Sequence, residues 1–274
     1  MNDILMQIRS DLPSFSKGQK RIANYILESY DKAAFMTASR LGKMVEVSES
    51  TVVRFAVELG FDGYPSMQKT LQELVRNKLT SVQRIEVTND RLGNQDVVST
   101  VLQGDIDSIR MTSEALSRSE MAASVQAMLK AKTIYIVGVR SSASLAAFLN
   151  FYLRNMFDNV RLVGSTSTSE MFEQMLRVGP GDVVIGFSLP RSRTVKVMQY
   201  AHDTGATCIA ITDKPDAPAG KVANHVLVAK SDMVSVVDSL VAPMSVVNAL
   251  IVSLAQEQQT QMTKTFEDLE NLWD

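Results

Sequence analysis

The feature that most constrains this 274-residue chain is a change of texture after Lys132. Five short runs rich in β-branched residues follow, at 133–139, 160–163, 183–187, 207–212 and 225–228. They alternate with segments of helical spacing at 142–156, 169–177, 193–204 and 235–257. A strand that is apolar on both sides must be covered on both faces, and parallel strands need a crossover long enough to hold a helix. The pattern therefore predicts an α/β domain, a doubly wound αβα sandwich around a five-stranded parallel sheet. Such sheets take ligands beyond the carboxyl ends of their strands.

The first eighty residues have no strand-like run and read as an all-α domain, residues 1–80. Ile4, Leu5, Ile8 and Leu12 form one helical stripe, ended by Pro13, and Ile22, Ala23, Ile26 and Leu27 form a second behind the cap Ser16. Thr37 is placed to cap a third helix at 38–45, and Ser48 a fourth at 49–59, with Gly60 at its end. A fifth follows Pro65. Residues 81–95 are polar and without a period, which marks a linker, and 96–274 make up the second domain. Helical spacing resumes from Asp96 to Leu129, with Ser119 the expected cap between two helices.

Residues 37–61 have the pattern of a helix-turn-helix. Leu41, Met44, Val47, Val52, Val53 and Leu59 can pack the helix pair, while the second helix opens on Ser48, Glu49, Ser50 and Thr51, with Arg54 one turn on. The first residues of a recognition helix reach base edges in the major groove, and hydroxyls and arginine hydrogen-bond bases and phosphates. Glu49 is either an acceptor for a cytosine amino group or a favourable charge at a helix N-terminus. Lys43, Tyr64, Ser66 and Lys69 are the expected phosphate contacts. A capped pair of surface helices is the plainer alternative. Basic residues are few, so the expected mode is a dimer on a two-fold symmetric, palindromic operator in double-stranded DNA.

Three polar loops fall at predicted strand ends. The first is Gly138, Val139, Arg140, Ser141 and Ser142. The second runs from Gly164 through Ser165 and Ser167 to Ser169. The third carries Ser188, Arg191, Ser192, Arg193 and Thr194. Hydroxyls beside the N–H groups of a helix start form an anion site, and arginine adds a bidentate donor. Serine and threonine are also ordinary helix caps. Together the loops describe a pocket for a polyhydroxylated anion.

Charge and composition limit the classes. Residues 1–80 carry 11 basic and 9 acidic side chains, and 81–274 carry 17 and 21, so the excess of positive charge lies at the N-terminal end. The single cysteine, Cys208, excludes an internal disulfide, and two histidines leave little for a metal site. No metal or cofactor is expected. Asp3, Arg9 and Asp11 interrupt any leader-like apolar run, and the stretch at 240–254 is too short and polar to span a bilayer. The expected location is the cytoplasm.

The segments SKGQKRIANYILE and VSESTVVRFAVELGFDGYPSMQK, with IYIVGVRSSASLAAF and VVIGFSLPRSRTVKVMQYAHDTGATCIAITD, resemble the RpiR/MurR family of bacterial regulators. That family joins an N-terminal helix-turn-helix to a sugar isomerase (SIS) domain. The resemblance implies a transcription regulator whose DNA affinity is set by a phosphosugar, assembled as a dimer or tetramer through its SIS domains. It also implies Ser142 and Ser188 as ligand contacts, with Thr194 a third. Two departures stand out: Arg140 replaces the second glycine of a G-x-G-x-S loop, and Pro190-Arg191 replaces Ser-Gly in the S-x-S-G-x-T/S loop. Two other readings are open at this point. One is a sugar-phosphate isomerase, with Glu170 and Glu173 after the second loop as its carboxylates, while His225 at the start of the fifth strand reads as a core or surface residue; the other is an adaptor that binds no ligand.

Overall fold

The structure, a computed structural model, describes residues 4–78, 85, 96–164, 167–189, 194–231 and 237–273. The expected linker, apart from Ile85, lies outside the described residues. The chain forms two compact units that separate at Val97.

The first unit consists of α1 (Ile4–Asp11), α2 (Lys17–Ala33), α3 (Ala38–Met44), α4 (Glu49–Glu58) and α5 (Tyr64–Lys78). Each start is chemically specified. The Ser16 hydroxyl accepts from the Gln19 N–H while the Gln19 side chain accepts from the Ser16 N–H, a reciprocal cap. Thr37 accepts from the Arg40 N–H at 3.2 Å and Ser48 from the Thr51 N–H at 3.3 Å. Between α3 and α4 the backbone turns through Glu46, whose φ of 53° is left-handed. Ile22, Ile26, Leu41, Val52, Phe55, Met67 and Leu71 are fully buried in one core. Each such side chain contributes about 1.5–3 kcal/mol by leaving water.

The second unit begins with α6 (Val97–Ala115) and α7 (Arg118–Leu129), followed by β1 (Ile134–Val137). A 3-10 turn (Arg140–Ser142) leads into α8 (Ala143–Leu153). Then come β2 (Val160–Val163), α9 (Thr168–Gln174), β3 (Val183–Ser188), α10 (Thr194–Asp203), β4 (Thr207–Thr212), α11 (Pro218–Val222), β5 (His225–Val228), α12 (Val241–Glu257) and α13 (Gln259–Trp273). All five strands are parallel, in the order β2-β1-β3-β4-β5. Alternate residues supply opposite faces. Ile134, Ile136, Ile185, Phe187, Ile209 and Ile211 join one core with residues of α7, α8 and α12. Tyr135, Val137, Val184, Cys208 and Ala210 join the other with α9, α10 and α11.

Three local expectations need correction. The cap of α7 is Ser117, which accepts from the Glu120 N–H at 3.2 Å; Ser119 instead bonds the Ser117 hydroxyl. The last long helix begins at Val241 rather than at 235, which puts Pro243 in its first turn, where no helical N–H is lost. The chain also adds α11 and α13, the latter separated from α12 by Gln258.

Candidate functional site

The helix pair α3–α4 presents a defined polar edge. Ser48 caps α4, and its hydroxyl also lies 2.9 Å from that of Ser50 and 2.8 Å from that of Thr51. Ser48, Glu49, Ser50 and Arg54 are exposed, and Thr51 is partly so. Arg54 Nε donates to the Ser50 carbonyl at 3.3 Å, which steadies the side chain along its own helix. Lys43 and Lys69 are exposed on α3 and α5, and Ser66 is half-buried.

Tyr64 corrects an expectation. It is 3% exposed, and its hydroxyl donates to the Met36 carbonyl at 2.6 Å, so it ties α5 to the turn before α3 rather than facing a phosphate. Burial pushes the phenol up to about 12. One contact that sequence reading passed over brings α2 against this edge. Gly18 of α2 packs over the start of α4, close to the side chains of Val47 and Thr51, and the exposed Lys17 and Lys20 are its near neighbours in sequence. The available signal was the Ser16 cap, which begins α2 just before these lysines.

In the second unit the strand order reverses between β1 and β3, and the crevice of such a sheet opens beyond the carboxyl ends of that pair. β1 and β3 both end there. Gly138 lies against α8: a Cβ on it would come within 2.6 Å of the Ser142 carbonyl oxygen and 2.7 Å of the Ala146 Cβ. Only glycine lets the helix start come this close to the strand. Arg140 follows with a left-handed φ of 56°, and it and Ser141 are exposed. Ser142 is buried; its hydroxyl accepts from the Val139 N–H at 3.1 Å and donates to the Val139 carbonyl at 2.9 Å, closing the loop on itself.

Ser188 is buried at the end of β3, where its carbonyl accepts from the Thr212 hydroxyl at 2.8 Å. Thr194 also corrects an expectation: it is fully buried and donates to the Phe187 carbonyl at 3.1 Å, so it ties the start of α10 to the end of β3. Ser167 precedes α9 without capping it. Ser165, Arg191, Ser192 and Arg193, with Pro190, lie outside the described residues.

Residues 2–78 match the helix-turn-helix domain of the rpiR family, and residues 127–253 match the SIS domain. The chain belongs to the RpiR family of transcription regulators. A relative, an HTH-type transcriptional regulator of Caldanaerobacter subterraneus, is 23% identical over 98% of this chain and 96% of its own length. The Vibrio vulnificus NanR protein, solved in complex with ManNAc-6P, superposes with a TM-score of 0.60 at 22% identity, covering 98% of both chains. The sugar isomerase domain of an RpiR transcription factor from Sphaerobacter thermophilus gives 0.59 at 26% identity, over 62% of this chain and 96% of that one.

This RpiR regulator is thus a DNA-binding protein with a SIS domain. Among its described residues no cluster of three or more His, Cys, Asp or Glu side chains is placed to hold a metal. None of their helices is long and apolar enough to cross a membrane. His225 opens β5, the amino end of a parallel strand and so the side away from the crevice, where its Nδ1 lies 3.1 Å from a Glu120 carboxylate oxygen.

Proposed function

We propose that this protein controls transcription through operator DNA read by α4, with its affinity set by a phosphosugar or related anionic metabolite held beyond β1 and β3. Residues 1–80 form the reading head, 81–95 the linker and 96–274 the sensor. In the head, Ser48, Glu49, Ser50, Thr51 and Arg54 face the bases, and Lys17, Lys20, Lys43, Ser66 and Lys69 face phosphates. In the sensor, the Gly138 loop supplies a helix start, Arg140 supplies charge, and Ser141 supplies a hydroxyl; Ser165, Ser167, Ser188, Arg191, Ser192 and Arg193 complete the pocket. The observation that carries the reading is the Gly138 loop itself, an exposed arginine beside a helix start at the point where strand order reverses.

The protein works in the cytoplasm as a homodimer or homotetramer on a palindromic site, and it is not an enzyme. In support of the last point, His225 sits at the opposite end of the sheet from the crevice, and Glu173 is exposed on α9. Isomerisation needs a base positioned over the substrate carbons.

A ligand shifts DNA affinity only by its differential affinity for two states of the protein. The test is a thermal-shift screen of sugar phosphates, beginning with ManNAc-6P, followed by DNA titrations at saturating amounts of each compound that raises Tm. A changed Kd for DNA is the expected result. A constant Kd with a proven ligand overturns effector control, and interconversion of a sugar phosphate overturns the regulator-only reading.

A further inference from the structure

We propose that α4 reads a thymine, with Val53 packing on the C5-methyl group of that base next to the contact made by Arg54. The proposal rests on the DNA-reading role of α4 and gives it a base preference. Ser50, Val53, Arg54 and Val57 share one face of the helix by their spacing. Val53 is 38% exposed and Val57 53% exposed. They are not an overflow of the core, because α4 already sends Val52, Phe55 and Ala56 into it. An apolar stripe therefore lies on the same face as the polar edge.

The occupant follows from chemistry. Valine offers no hydrogen bond, and the apolar feature that the major groove presents is the thymine methyl. The surroundings suit a polyanion, because the exposed Arg54 lies within the stripe beside the exposed hydroxyls of Ser48 and Ser50. Because Nε of Arg54 is held by the Ser50 carbonyl, the guanidinium is steadied beside Val53, where it can take a neighbouring guanine through two nitrogens.

The experiment selects a binding site from random duplex DNA with the full chain, at one fixed salt concentration because phosphate contacts make affinity salt-dependent. Each thymine of the selected half-site is then replaced by deoxyuridine, which removes only the methyl group. Kd is measured by fluorescence anisotropy for the wild type and for Val53→Ala. At one position the replacement is expected to weaken wild-type binding about fourfold, the worth of one buried methyl, and to leave Val53→Ala unaffected. If no deoxyuridine weakens the wild type, or the loss persists in Val53→Ala, the thymine contact is wrong while α4 still reads DNA. If Val53→Ala instead lowers the oligomeric mass, the face belongs to a second copy of the chain and the proposal falls. If no sequence is enriched at all, both the proposal and the DNA-reading role fall.

Discussion

Gly42 and Val47 hold the helix-turn-helix closed from both directions. The Val47 N–H donates to the Gly42 carbonyl at 2.8 Å, and the Val47 carbonyl oxygen lies 2.8 Å from where a Cβ on residue 42 would sit. The neighbour is backbone, which cannot move aside like a side-chain tip. Gly42→Ala is therefore expected to destabilise the first unit by about 1–3 kcal/mol through overpacking. It should also weaken DNA binding, because the turn sets the angle of α4. Urea unfolding followed by circular dichroism measures the first effect, and an unchanged midpoint contradicts it.

Tyr64 gives the first unit an alkaline limit. Its phenol is raised from 10 to about 12 by burial, so the folded state favours the neutral form. That stability is fully present below pH 10 and is lost as pH rises from 10 to 12, amounting to about 2–3 kcal/mol. Tyr64→Phe should cost about 1 kcal/mol at neutral pH for the lost bond to Met36, and should flatten the loss between pH 10 and 12. Its DNA affinity, measured where it is folded, should equal the wild-type value. Weakened binding by a folded variant would return Tyr64 to the interface.

Arg54 and Lys20 should fail differently. Arg54→Ala is expected to weaken binding to specific DNA by about 1–3 kcal/mol while leaving random DNA little affected. Lys20→Ala should weaken both alike and reduce the salt slope of log K by about 1. Both side chains are exposed, so thermal stability should move by no more than about 0.5 kcal/mol. Equal losses on both DNAs for Arg54→Ala would assign it to phosphate.

Arg140 sits where an L-residue is strained. A left-handed φ of 56° costs a side chain with a Cβ about 1–2 kcal/mol, and glycine pays little of it. Arg140→Gly should therefore raise Tm in the absence of ligand. It should also shrink the Tm increase produced by a sugar phosphate that binds the wild type. A larger ligand-induced increase in the variant would show that the arginine obstructs the pocket.

Much of this was legible before any coordinates. Helix caps at Ser16, Thr37 and Ser48 are local chemistry, since a hydroxyl and a backbone N–H three residues away meet without help from the rest of the chain. The parallel sheet was legible for a different reason, because its central strands β1 and β3 are buried on both faces and so are apolar almost throughout. Where caps compete, local reading fails: Ser117 and Ser119 are equivalent as chemistry, and it is Ser117 that caps α7.

By itself the sequence determined two domains of different class, the residues that open the reading helix, and the glycine-led loop after the first strand. These are matters of periodicity and short-range hydrogen bonding, which act within a few residues. Only the tertiary structure decided which hydroxyls remain for a partner. Tyr64 and Thr194 each turned inward to a backbone carbonyl, because a polar group carried into the interior must find its hydrogen bond there. Likewise, only the fold brought Gly18 of α2 against the start of α4, across a separation that no local pattern encodes.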